Sequence, residues 1–74
     1  KMDYIVETNI GDRFLTRDKE SAIRLAETFV QDWLSNGVHT MKATVNTNHW
    51  KYQDLTIVSV ANGKVITQQI TQGV

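Results

Sequence analysis

Only one stretch of this chain separates apolar from polar residues with the period of a helix, and that limits the fold to what a single helix can cover. At about 100° per residue, Ala22, Ile23, Leu25, Ala26, Phe29, Val30, Trp33 and Leu34 fall within one half of the wheel, while Arg24, Glu27, Thr28, Gln31 and Asp32 fill the other. Asp18 is placed to cap the first backbone amides, and Glu20 complements the positive end of the helix dipole. Ser35-Asn36-Gly37 supplies the stop, because glycine readily takes the left-handed conformation that closes a helix C-terminus. The pattern predicts a helix from Lys19 to about Ser35, with Trp33 in its buried stripe.

The remainder reads as strands. Before the helix, Asp3 to Thr8 is rich in strand formers and alternates Tyr4 and Val6 with more polar neighbours. Asn9-Ile10-Gly11-Asp12 then offers a turn, and Arg13-Phe14-Leu15 a short return strand. Beyond Gly37, Thr40 to Thr47 alternates Met41, Ala43 and Val45 with polar side chains, the signature of a half-buried strand. Asn48-His49 turns the chain, Tyr52 to Ala61 forms the next strand, and Asn62-Gly63 leads into a last one from Lys64 to Thr71. The expected fold class is α+β: one small domain over residues 1–74, an antiparallel sheet packed on one helix, in the order ββαβββ, or βαβββ if the first hairpin is only a loop.

The last hairpin sets a problem of faces. A two-residue turn at Asn62-Gly63 pairs Ala61 with Lys64, Val60 with Val65, Ser59 with Ile66 and Ile57 with Gln68. Alternation then puts Leu55, Ile57, Ile66 and Ile70 on one face and Tyr52, Val58, Val60 and Val65 on the other. One helix covers one face, so the other is exposed, folded over or buried against another chain.

Composition narrows the possible partners. Seventy-four residues bury only about 60% of the surface their unfolded chain exposes, so the core is marginal. With no cysteine, disulfides and thiolate zinc sites are excluded. Oligomerisation is then the simplest supplement, and a homodimer is expected. Eight basic and eight acidic residues leave no net charge to draw the chain to nucleic acid or an anionic membrane. No apolar run is long enough to span a bilayer and no signal peptide is visible, so a cytoplasmic location is expected. Lys1 before Met2 reads as a cloning remnant.

No motif for chemistry emerges. His39 and His49, ten residues apart, match no metal-ligand spacing, and neither a nucleophile elbow nor a phosphate-binding glycine loop is present. No catalytic residue, metal or cofactor is assigned. His49-Trp50-Lys51-Tyr52 is the one cluster joining aromatic and basic character, and such residues anchor protein interfaces or stack on bases. The expectation is a noncatalytic protein–protein interaction module, using His49, Trp50, Lys51, Tyr52, Val58, Val60 and Val65, or an exposed strand edge between Val65 and Gln72. Such a chain suits a small accessory or inhibitory protein of the kind phages carry. The alternative is a small nucleic-acid-binding domain, in which Lys42, Lys51 and Lys64 lie along the sheet and Trp50 or Tyr52 stacks on bases.

Overall fold

In the computed structural model, which describes residues 3–49 and 51–73, five strands and one helix follow the order ββαβββ. They are β1 (Tyr4–Thr8), β2 (Arg13–Thr16), α1 (Lys19–Ser35), β3 (Ala43–Thr47), β4 (Tyr52–Ala61) and β5 (Lys64–Gly73). All pairings are antiparallel, and the spatial order is β2-β1-β3-β4-β5. Because β1 lies between β2 and β3 and opposes both, those two strands are parallel, and α1 is the crossover joining them.

Local chemistry accounts for each boundary. The Asp18 carboxylate accepts hydrogen bonds from the Ser21 amide and hydroxyl, both 2.9 Å, which holds its pKa below the usual carboxylate value. At the other end, the Val38 amide donates to the Trp33 carbonyl and the Gly37 amide to that of Leu34, with Gly37 at a φ of 84°. That pair of bonds is the Schellman closure, and it requires a left-handed residue at this position. The strand expected from Thr40 begins at Ala43 instead. Upstream of it the Asn9 side chain takes the place of a neighbouring strand, donating to the Thr40 carbonyl at 2.8 Å and accepting from the Lys42 amide at 3.0 Å.

The helix lies on the sheet along Ala22, Ala26 and Val30, which are fully buried and spaced four residues apart. They meet Val6, Ala43, Val45 and Val58 from the central strands, with Met41 closing the cluster. The largest fully buried side chains are valines and one threonine, so this core is built from small residues. Phe29 sits at its margin, stacked on Phe14 with ring centroids 5.2 Å apart. Trp33, expected within the stripe, is 37% exposed: it shares the sheet-facing side of the helix with Ala22 and Ala26 but sits in the last turn, past the buried line that ends at Val30.

Candidate interaction surface

Register decides which side chains share a face. The predicted pairing of the last hairpin is present, from Ala61 with Lys64 through Ile57 with Gln68. Asn62 and Gly63 have φ values of 54° and 74°, the two positive angles a type I′ turn needs. Across the next ladder Ala43 opposes Val58 and Val45 opposes Thr56. Opposed residues point to the same side of a sheet, so the face holding Val58 and Val60 is the one α1 covers.

This corrects part of the expected partner surface. Val58 is fully buried in the core, and Val60 and Val65 are partly buried and packed against it. They hold the helix on the sheet and offer little surface to another molecule.

The opposite face carries Leu15 of β2, Ile5 of β1, Leu55 and Ile57 of β4, and Ile66 and Ile70 of β5. Leu15 opposes Ile5, Ile5 opposes Asn46, and Leu55 opposes Ile70, so an apolar row crosses the sheet, broken only at β3. No described helix lies on this side. Leu15 is 62% exposed and Ile70 41%, while Ile5, Leu55, Ile57 and Ile66 are half-buried by their neighbours. A cleft of about 340 Å³ opens at the β2 end, lined by Ile5, Phe14, Leu15, Arg13 and Asn48. The charges here are modest: Arg13 and Glu7 face each other at 4.0 Å and are largely solvated, which adds little stability.

The aromatic and basic cluster divides. His49 and Lys51 are exposed in the loop between β3 and β4, where the Lys51 amide donates to His49 Nδ1 at 3.1 Å. Tyr52 is half-buried at the start of β4, and its carbonyl accepts from the Thr47 hydroxyl. Trp50 lies outside the described residues. The three lysines of the nucleic-acid reading do not form one patch: Lys51 and Lys64 flank opposite ends of the ten-residue β4, roughly 30 Å apart at ~3.3 Å per residue. Among the described residues no group of three His, Asp or Glu is placed to hold a metal.

One polar cluster went unread in the sequence. Asp54 of β4 is 5% exposed, on the covered face, and accepts a hydrogen bond from Lys19 Nζ at the start of α1. That bond raises the Lys19 pKa above 10.5, against the lesser opposing effect of burial. Asp54 Oδ1 and the neighbouring Thr56 Oγ1 are buried and have no hydrogen-bond partner. No local pattern in the sequence points to it, because the inward face of β4 is set by its long-range pairing with β3 and the partner Lys19 is 35 positions away. The pair ties the first turn of the helix to β4.

No protein-family model, curated protein or solved structure matches this chain.

Proposed function

We propose that this chain is a noncatalytic protein–protein interaction module, docking through the sheet face that α1 leaves uncovered. The observation carrying this reading is the row Leu15, Ile5, Leu55 and Ile70, with Ile57 and Ile66 beside it, on the side without a helix. In a sheet of this size the helix-covered face supplies the core, so large aliphatic residues on the other face cost solubility unless something covers them. His49 and Lys51, in the loop at the β3–β4 end, supply a polar rim to this surface, while Tyr52 shares the helix-covered side with Val58. The mechanism is surface burial, as in a small accessory or inhibitory protein. Absence of cysteine supports a reducing, cytoplasmic setting.

The test compares capture of proteins from a lysate of the native host by the wild-type chain, by Ile57→Glu, and by Thr28→Ala on the exposed side of the helix. A partner retained by wild type and Thr28→Ala but lost by a still-folded Ile57→Glu supports the reading. If every retained protein is indifferent to Ile57→Glu, the open face is not the docking surface.

A further inference from the structure

We infer that a second copy of this chain pairs with the first along β5, across a two-fold axis through Gln68, joining two sheets into one of ten strands. This rests on the interaction-module reading and names the partner at one edge of the same sheet.

The first support is the edge itself. β5 is the outermost strand, ten residues long, in unbroken one-to-one register with β4 from Lys64 to Gly73. Natural edges are usually blunted by proline, bulges, inward charges or short length. β5 has no proline and no bulge, and Lys64 at its start is its only charged residue. The other edge, β2, is protected by having only four residues.

Backbone geometry then limits how two such edges can meet. The type I′ turn is closed by Ala61 and Lys64, which exchange their backbone bonds, so every second residue from Lys64 turns its amide and carbonyl toward β4. Val65, Thr67, Gln69 and Thr71 direct theirs outward. An antiparallel second copy must pair these residues with one another. With Gln68 on the axis, Thr67 pairs with Gln69 of the other copy and Val65 with Thr71, giving eight interchain bonds by this count. The same register sets Ile66 opposite Ile70 twice, on the open face and in the non-hydrogen-bonded positions where side chains approach most closely. The apolar rows of the two open faces then become one surface.

The helix does not obstruct this edge. A groove of about 550 Å³ runs along the outer side of α1 and reaches β5 at Val65. Glu27 accepts a hydrogen bond from the Thr67 hydroxyl at 2.7 Å, so the middle of the helix stands level with the middle of the strand. A two-fold axis at Gln68 places the two helices on the same side of the joined sheet, running in opposite directions, with the seam between the two β5 strands left open between them.

Because the chain has no cysteine, Gln68→Cys gives a single-thiol protein that reports the axis directly. Residues in a non-hydrogen-bonded antiparallel pair have Cα atoms about 4.5 Å apart, within disulfide range. Sedimentation of the wild-type chain should give the mass of two copies, and mild oxidation should cross-link Gln68→Cys nearly completely while Gln53→Cys, on the same sheet face, remains largely uncross-linked. Gln69→Pro removes an outward amide without touching the β4 ladder, and should give a folded monomer. If Gln69→Pro fails to fold, the Gln68→Cys cross-link still decides. A wild-type monomer, or a dimer that Gln68→Cys does not cross-link, overturns the inference. Neither result touches the open-face reading, which stands or falls on Ile57→Glu.

Discussion

Replacing Thr56 by valine should stabilise the protein, an unusual sign for a change in a core. Thr56 is fully buried at the centre of the sheet, directly opposite Val45, and its hydroxyl makes no hydrogen bond. Burying an unpaired hydroxyl costs about 1–3 kcal/mol by protein mutational data, and the valine methyl adds about 0.8 kcal/mol of burial. Both residues are β-branched, so strand preference is almost unchanged. Allowing for apolar area already buried in the unfolded chain, the net gain should be about 1–3 kcal/mol. In a domain of this size each kcal/mol moves the melting temperature by about 4–8 °C. Urea and thermal melts followed by tryptophan fluorescence measure it. Thr47→Val is the control, because that residue is equally inward but its hydroxyl donates to the Tyr52 carbonyl. Losing that bond should cost about 0.5–1.5 kcal/mol, so the two identical substitutions should differ in sign. A loss of 1 kcal/mol or more for Thr56→Val would refute the reasoning and show that the hydroxyl is engaged, with a bound water shared with Asp54 the first explanation to examine.

Two further outcomes follow from the turn and the ion pair. Gly63→Val should cost about 1–2 kcal/mol from the left-handed backbone alone, since a Cβ there meets nothing within 4 Å; a urea melt shifted by a negligible amount would contradict the turn assignment. The raised Lys19 pKa means the folded state holds that proton more tightly, so the contribution of the pair is full below pH 10.5 and declines as pH rises through the higher folded value. Alkaline denaturation should therefore be steeper for the wild type than for Lys19→Met, and parallel curves would show that the ammonium gains nothing from Asp54.

The element order, the helix ends and the hairpin register were legible because each rests on chemistry within a few residues. Asp18 reaches Ser21, Gly37 closes the turn after Leu34, and Asn62-Gly63 sets a two-residue loop. The face of the last hairpin was not legible. Both of its faces are apolar, and the choice depends on the pairing of Ala43 with Val58, across a loop whose length does not itself set register. A slip by one residue would have put Leu55 and Ile57 beneath the helix. Trp33 misled for a different reason: the wheel places it on the same side as Ala22 and Ala26, but it lies in the last turn, past the buried line that ends at Val30, and a wheel carries no information on position along the axis. Asp54 was unread because its partner is 35 positions away, beyond any local pattern.

The small residues of the covered face and the large ones of the open face have a common consequence. A helix resting on alanine and valine packs close to the sheet, and the side chains between them are short, so the interior holds little apolar volume. The chain's leucine and isoleucine residues on β4 and β5 lie on the other side, which no described helix covers. A fold stabilised chiefly by its own core would place the larger residues inward, since burial rises with apolar area. On the proposed docking reading, part of the hydrophobic free energy would be realised on association. An open-face substitution such as Ile57→Glu should therefore disturb the isolated fold less than Val45→Ala in the covered core, although Ile57 is the larger side chain.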